Sequence, residues 1–578
     1  MIQLFSRAPW SLLGVASMLD IEKIPYRRVS SAEDGSQALL IAAGGDLTPS
    51  DIAAIGRRPA IVLGGGVRFA HEMFGARGLE VHDGPCVIGL QQPVWPGPCV
   101  AIAAAHGKSA LRIPLAPRCD SKVLARGTVL AACEARAPRG GAHPAIVRTG
   151  RCLWSAVDLG AAFANLVTER YLPAHKQHVA SSALKVRARR AVEQVYYAAP
   201  QIARQWVQTR SYAALEQQLH ADGECASEYP IDATGWLLIE LLKSLIRHAA
   251  GSLVRLERWP APYRAAATLT HDIEPRRYAY TTGLDRLLDQ PLTTEAPSAF
   301  GLVAAASERY LTDERARRLR DREVLCHGLE HRGENVQGQP AVLASVATAR
   351  NWLERRLGRP LNGYRSPRLD RSADLLWALD RSGFVYDSSY PDVDRENVRH
   401  FGGGVRLNLP FRPPVEDRAG VLRASHCLEL PLTAPDCIQP LFAGHGQARL
   451  RATVESKAAF VRDSNGLYVA LIHAGVFGPR DAAVREDHLR FVTSQLRHPD
   501  VWLAGIERIV DWWRTREALR ISVEPGSARV INEGPAPMTG ARIVIEHNGG
   551  EVVLPVPPLA PGAALTLPIP AEASVPAA

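Results

Sequence analysis

Asp272 and Glu274 stand two residues apart at the end of the run Ala266-Ala267-Thr268-Leu269-Thr270. Small and β-branched residues alternate up to Thr270 and Pro275 closes the run, which predicts a buried strand. Side chains alternate faces along a strand, so both carboxylates point the same way. Two such charges repel unless a proton or a cation lies between them. On this stretch alone they could equally be two solvated acids at a strand end. His327 and His331 follow a second apolar run, Glu323-Val324-Leu325-Cys326. In a helical turn, residues at i and i+4 share a face, and two imidazoles placed so can bind one metal. Two His and one carboxylate form the donor set of a catalytic zinc, which keeps a fourth position for water. The chain holds 18 His, so the spacing alone is weak. What counts is that both pairs end a strand. Arg365, before the Pro turn of Tyr364-Arg365-Ser366-Pro367, could hold a carboxylate with two nitrogens and keep it ionised, or lie on a surface turn. His473 ends the run Val469-Ala470-Leu471-Ile472, as a catalytic group or as a satisfied core residue.

These residues need a scaffold that brings strand ends together. From residue 263 to about 516, strands and helices alternate. The spacing predicts helices over 302–310, 341–357, 372–382 and 483–497 and a strand over 468–472, a βα order that argues a parallel sheet or barrel with its site at the strand C-termini. Residues 1–175 read as a smaller α/β unit, with short apolar runs at 38–43, 59–63, 100–103 and 127–132 as strands and a closing helix over 158–171. Leu63-Gly64-Gly65-Gly66-Val67 reads as a tight strand-to-helix turn; a glycine turn there could also cradle an anion. Residues 176–262 read as a helical connector, with helices over 184–208 and 236–253 and a basic cluster at 185–190. Residues 517–578 read as a small β-sandwich with a disordered Pro/Ala-rich tail.

The composition bounds the function. Hydrophobic residues make up 46% and charged residues 22% of the chain, as in ordinary globular protein. A net charge of +9 over 578 residues, with no recognition-helix or aromatic RNA-binding signature, argues against a nucleic-acid partner. The nine cysteines include no CxxC pair and most lie in apolar runs, which reads as reduced core thiols. The run Trp10–Leu19 is bounded by Pro9 and Asp20 and is not a convincing signal peptide. The 236–253 helix carries Glu240, Lys243, Arg247 and His248, which suits a packed helix and not a membrane span. The chain is therefore expected to be cytoplasmic and free of integral membrane segments.

The motifs together resemble the polysaccharide deacetylase family, carbohydrate esterase family 4, with its NodB-like domain. The pieces are Thr270-His271-Asp272-Ile273-Glu274, His327-Gly328-Leu329-Glu330-His331, Tyr364-Arg365-Ser366-Pro367, Tyr386-Asp387-Ser388-Ser389 and Leu471-Ile472-His473, in the family's order. They span about 250 of the 578 residues. The resemblance implies a distorted (β/α) barrel and metal-dependent removal of an N-acetyl group from a sugar of a polysaccharide, oligosaccharide or its precursor. It implies Asp272 as general base, Glu274, His327 and His331 as ligands of one divalent metal, most simply Zn2+, Arg365 as the residue that orients Asp272, and His473 as general acid. The family's first motif has adjacent acids, whereas Ile273 separates them here, so base and ligand could be exchanged. Glu429 and Asp387 are the candidates to orient His473. The first unit is similar to class I glutamine amidotransferase-like domains of flavodoxin-like form. Glycine stands where that family carries its nucleophilic Cys, so this unit is expected to be non-catalytic. Two other readings stay open: a non-catalytic carbohydrate-binding or assembly scaffold, and a hydrolase of another non-peptide C–N bond.

Overall fold

The computed structural model describes residues 2–170 and 232–570 apart from 34–37, 91–93, 136–141, 291–295, 393–403, 417–419, 435, 437–445, 475–481 and 548–549, with Ala191, Val195, Ala203, Trp206, Val207 and Arg210 besides. The expected helix over 184–208, the basic cluster at 185–190, Cys225, Cys437 and the tail from 571 lie outside the described residues. The chain forms two compact units. One comprises Met1–Tyr171, Ala233–Pro262 and Trp512–Ala578; the other comprises Leu172–Asp232 and Tyr263–Asp511. The seven described cysteines are free and buried. Among the described residues no helix is long and apolar enough to cross a membrane.

In the first unit a nine-stranded sheet runs Tyr26–Arg28, Ile2–Phe5, Leu40–Ala43, Ala60–Leu63, Cys152–Ser155, all parallel. It continues antiparallel through Ala142–Thr149, Thr128–Ala135, Glu80–Gly89 and Ala110–Asp120. Gly64, Gly65 and Gly66, all with φ near +77°, turn strand Ala60–Leu63 into helix Gly66–Phe74. The run 100–103, expected as a strand, lies inside helix Gly97–Ala105. Pro98 presets the first turn, and an Ala-rich run has strong helix propensity. The 236–253 expectation is met as helix Thr234–Ala250, which Gly251 ends; Leu253 belongs to the next strand, Ser252–Leu256. Strands at Leu519–Glu524, Ser527–Asn532, Arg542–His547, Gly550–Pro555 and Ala564–Pro568 form two three-stranded sheets, and one of these takes in Ser252–Leu256 as its edge.

A buried charge cluster ties the three segments of this unit. Arg258 donates to Glu22 through Nε at 2.9 Å and through Nη2. Lys243 reaches Glu240 at 3.0 Å and Glu546 at 3.1 Å. Arg255 Nε donates to Glu546 at 2.6 Å. Glu22 is fully buried. Burial alone would raise its carboxyl, but Arg258, Lys243 and Arg255 outweigh that and hold it at about 2.

The second unit carries the motifs. Its sheet is parallel throughout, in the order Leu428–Glu429, Tyr386–Asp387, Gly363–Tyr364, Glu323–Cys326, Ser298–Leu302, Ala265–Ile273, Leu467–Leu471, with Val501–Leu503 also on Ala265–Ile273. Ala434, five residues past the first edge strand, bridges in parallel to Ala470 on the far edge strand. The sheet is thus curled toward closure, a mixed α/β architecture. Helices Ala304–Tyr310, Asp313–Leu319, Gln339–Leu357, Ala373–Arg381, Gln447–Asp463 and Ala482–Leu496 intervene between strands. The core is apolar, with Leu269, Phe300, Val324, Leu353 and Tyr468 all fully buried. Strand Ala265–Ile273 is buried along its whole length, as a central parallel strand must be.

The charge cluster makes a stability prediction. The pKa of Glu22 is depressed on folding, so its contribution is complete above the ordinary 4.5 and is lost as pH falls toward about 2. Glu22→Gln should destabilise the first unit by about 3–5 kcal/mol, because the buried Arg258 loses its nearest counter-ion. Thermal melts at pH 7 and pH 3 should show a smaller pH effect in the variant than in the parent. An equal effect in both would remove Glu22 from the account.

Candidate functional site

The parallel register sets the strand ends level. Asp272 pairs with Gly301, Leu302 with Cys326, Cys326 with Tyr364 and Tyr364 with Asp387. The residues at or just past these ends are Asp272 and Glu274, His327, Arg365 and Ser388. His473 follows the neighbouring strand Leu467–Leu471.

Arg365 is fully buried. Its Nη1 lies 3.4 and 3.5 Å from the two oxygens of Asp272, and Nη2 donates to Thr270 Oγ1 at 3.2 Å and Ser388 Oγ at 3.1 Å. Asp272 is 2% exposed. Burial would raise its carboxyl, but nearby His327 and the Arg365 guanidinium prevail and hold it below the usual carboxylate range. Glu274 behaves likewise, with burial opposed by His331 and His473.

His327 Nδ1 lies 3.0 Å from the carbonyl oxygen of Arg365. Donation to that carbonyl puts the hydrogen on Nδ1 and leaves the Nε2 lone pair free. Burial lowers the pKa of this ring, which favours the neutral form. Nε2 of His327 and Nε2 of His331 are buried and have no hydrogen-bond partner. The first stands 3.7 Å from Asp272 Oδ2 and the second 3.7 Å from Glu274 Oε1. The two rings are 5.0 Å apart between centroids.

They meet by a different route from the helical turn that the i, i+4 spacing predicts. Residues 327–333 form no helix. Gly328 has φ +76° and His331 φ +63°, neither of which a right-handed helix allows. The loop instead wraps the Glu334 carboxylate, which accepts from the backbone N–H of Leu329, Glu330, His331 and Arg332 at 3.1, 3.1, 2.9 and 2.6 Å. A left-handed His persists only where its surroundings impose it, and such residues cluster at functional sites.

His473 Nε2 lies 3.5 Å from Glu274 Oε1. Its orienting acid is Asp436, which neither expected candidate matches. Asp436 Oδ2 is 2.5 Å from His473 Nδ1 and accepts from the His473 N–H at 2.6 Å. Glu429 and Asp387 are instead paired across adjacent strands, where Glu429 Oε1 accepts from the N–H of Ser389 and Tyr390 at 3.1 and 3.0 Å. Burial would lower the His473 pKa, but the hydrogen bond and charge of Asp436, with Glu274 and Asp272, raise it to about 9. One contributor escaped the sequence reading besides Asp436 and Glu334. Gly301 faces Asp272, and a Cβ there would stand 2.8 Å from Asp272 Oδ1 and 3.4 Å from His327 Cβ. Neighbouring His271 is fully buried, with Nδ1 3.2 Å from the Ile472 carbonyl oxygen and its ring 5.4 Å from that of Phe300. Burial lowers its pKa to about 4, so it is a neutral core histidine.

The arrangement thus brings all six candidate residues to one end of the sheet. It offers an ionised carboxylate braced by a guanidinium, a second carboxylate between two histidines, two open imidazole nitrogens and one imidazolium. Among the described residues no group of three or more His, Cys, Asp or Glu stands in a geometry that would hold a metal ion as it is.

No protein-family model and no curated protein sequence matches the chain. Solved structures similar to it include polysaccharide deacetylases, the family that the motifs resemble, and the Puue allantoinase. A Mycobacterium smegmatis protein assigned as a polysaccharide deacetylase is 22% identical, covers 46% of this chain and 96% of its own, and has a TM-score of 0.36. The carbohydrate deacetylase Agd3 is 10% identical over 98% of both chains, at a TM-score of 0.36. A CE4-family pseudoenzyme from Bacillus anthracis is 12% identical, covers 43% of this chain and 66% of its own, at a TM-score of 0.28. These names speak for those proteins; what this site can do follows from its own residues.

The His473–Asp436 pair predicts a titration. A folded-state pKa raised above the usual 6.5 stabilises the fold below 6.5, and that contribution is lost as pH rises through about 9. In NMR titration of the metal-free protein, the His473 ring should stay protonated to about pH 9. Asp436→Asn should lower that midpoint. An unchanged midpoint would leave Asp436 without the role given to it.

Proposed function

We propose that the chain is a metal-dependent hydrolase that removes an N-acetyl group from a sugar of a polysaccharide, oligosaccharide or its precursor. The observation that carries this reading is the meeting of Asp272, Glu274, His327, His331 and His473 at level strand ends, with Arg365 behind Asp272.

The donor set fits a divalent cation. Two buried imidazole nitrogens lack hydrogen-bond partners, and each stands 3.7 Å from a carboxylate oxygen. Two ligands about 2.1 Å from one tetrahedral ion lie roughly 3.4 Å from each other. Glu274, His327 and His331 would hold the cation after a small closing movement, and a nitrogen-rich set of this kind suits zinc. Bound there, a divalent cation supplies Lewis acidity toward the amide carbonyl and toward water.

The chain's own groups supply the proton transfers. Asp272, kept ionised by Arg365, takes the proton of the attacking water. His473 gives its Nε2 proton to the amide nitrogen as the C–N bond breaks, leaving acetate and a free amine. Asp436 fixes the ring by Nδ1 and so keeps the mobile proton on Nε2. Removing this site from bulk water strengthens each of these interactions.

We read residues 263–516 as the deacetylase barrel. Residues 1–175 read as a flavodoxin-like partner without catalysis of its own. The order of its five parallel strands, 2-1-3-4-5 when these five alone are numbered along the chain, supports that form, and the turn Gly64–Gly66 offers no nucleophile.

Metal analysis and acetate release test the assignment together. The protein should hold one zinc per chain, and His331→Ala should lose it. Asp272→Asn should keep the metal and slow acetate release by about 10²–10⁴-fold, whereas Glu274→Gln should lose the metal. The reverse pattern would exchange the two acids. Acetate release that survives both changes would take the reaction away from these two acids, and no release by the zinc-loaded parent would remove the deacetylase reading and favour a carbohydrate-binding scaffold. Gly301→Ala should keep the fold and the metal but lower kcat by roughly ten- to hundredfold, because its methyl displaces Asp272.

A further inference from the structure

One of the proposed metal ligands has an unusual backbone. His331 has φ +63°, and a residue with a side chain stays in that left-handed region where its surroundings hold it there. Here the surroundings centre on one carboxylate. Glu334 is buried. Its Oε1 accepts from the N–H of Leu329, Glu330 and His331 at 3.1, 3.1 and 2.9 Å, and its Oε2 accepts from that of Arg332 at 2.6 Å. Four successive N–H groups that converge on a buried anion fix the peptide planes of the whole turn. The start of the loop is held from its other side. The carbonyl oxygens of Gly328 and Leu329 accept from the N–H of Ala304 and Ala305 at 3.1 and 2.9 Å. A Cβ at Gly328 would stand 2.4 Å from Pro367 Cγ and 2.7 Å from Glu334 Oε1, so the loop closes tightly on both. The next residue ties it to the flank of Arg365: Asn335 Nδ2 donates to Ser366 Oγ at 2.7 Å, and Tyr364 Oη donates to Asn335 Oδ1 at 3.0 Å.

The direction of the His331 side chain depends on this backbone state. A change of φ to the ordinary right-handed value of about −63° would turn the Cα–Cβ bond and swing the ring away. Nε2 would then leave its place 3.7 Å from Glu274 Oε1. We propose that Glu334 is a positioning residue that preorganises His331, and that it thereby sets the affinity of the site for a divalent cation. It acts through the backbone of the loop, since its oxygens are engaged by the four N–H groups. With the loop ordered on folding, a cation that binds there does not have to order it, and its affinity is higher by that difference. The inference rests on the metal-dependent reading of the site for the cation, and on Glu334 and its hydrogen bonds for the positioning.

The test is a zinc titration of the metal-free full chain against a chelating dye, well below the melting temperature of every variant. Glu334→Gln keeps the shape of the side chain but sets an NH2 group against backbone donors. It should bind zinc roughly ten- to hundredfold more weakly than the parent, the usual worth of a residue that orients a metal ligand. Glu334→Ala should lose more; if it does not fold, the Gln variant decides. Leu353→Ala is the control for stability. It opens a cavity in the core of the same unit, where Leu353 is fully buried, and should lower the melting temperature while zinc affinity stays at the parental value. Amide exchange in the metal-free protein gives a second readout: the N–H groups of residues 329–332 should exchange slowly in the parent and Leu353→Ala and faster in Glu334→Gln. Equal zinc affinity in the parent and Glu334→Gln would overturn the proposal. So would an equal loss in Leu353→Ala, which would make Glu334 a residue of the fold and not of the site. A parent that binds no zinc removes the metal-dependent reading and the inference with it. Zinc affinity that depends on Glu334, without acetate release from any N-acetylated saccharide, leaves the inference standing and removes the reaction.

Discussion

Arg365 has no solvent to place its charge in, and the geometry of the site follows from that. A guanidinium with no exposure must find an anion and hydrogen-bond acceptors inside the protein. It finds Asp272 on one side and the hydroxyls of Thr270 and Ser388 on the other. Its own backbone N–H is tied to Cys326, and its carbonyl oxygen takes His327 Nδ1. One residue therefore fixes a carboxylate, the tautomer of a histidine and the spacing of three strand ends. Behind it, burial and the charge of Asp387 push the Glu429 carboxyl well up, so Glu429 stays protonated and the Asp387–Glu429 pair adds one negative charge to the interior, not two. The interior next to Arg365 thus sets two carboxylate charges, Asp272 and the Asp387–Glu429 pair, against one guanidinium.

Much of the second unit was legible because its signals are local. The strand Glu323–Cys326 is where the apolar run puts it. Helices expected over 341–357 and 372–382 are found as Gln339–Leu357 and Ala373–Arg381, each with a sequence-visible start, Pro340 near the first turn and Ser372 as N-cap. Asp272 and Glu274 were set on one face by strand alternation, and His473 was marked by the apolar run that it ends. What was not legible depends on contacts far apart in sequence. Asp436 lies in a stretch without periodicity, 37 residues from the ring it holds. Gly301 matters only because of the strand beside it. Glu334 is an ordinary acid until four backbone N–H groups converge on it. The run 100–103 failed for another reason: a short apolar stretch does not distinguish strand from helix by period, and there the flanking prolines were the better guide.

The two histidines show how a right pairing can be reached by a wrong path. Helical spacing predicted that His327 and His331 would share a face. They do come together, at 5.0 Å between ring centroids, but on a loop held open by a carboxylate. Such a loop fixes the rings through backbone hydrogen bonds and not through packing, so their separation is set by the Glu334 carboxylate rather than by a helical rise.

The nested order of the segments has a consequence for synthesis. The strand Ser252–Leu256 takes its partner from Arg542–His547, and Lys243 and Arg255 take Glu546 as counter-ion. Roughly 290 residues separate the two strands, so at about 5–20 residues per second a ribosome needs on the order of 15–60 s to deliver the partner. The whole of 263–511 emerges in that interval and can complete its parallel sheet. The unit that begins first is finished last, and during translation it carries an unpaired strand edge beside two cations that still lack one of their counter-ions, the kind of surface on which nascent chains associate with one another.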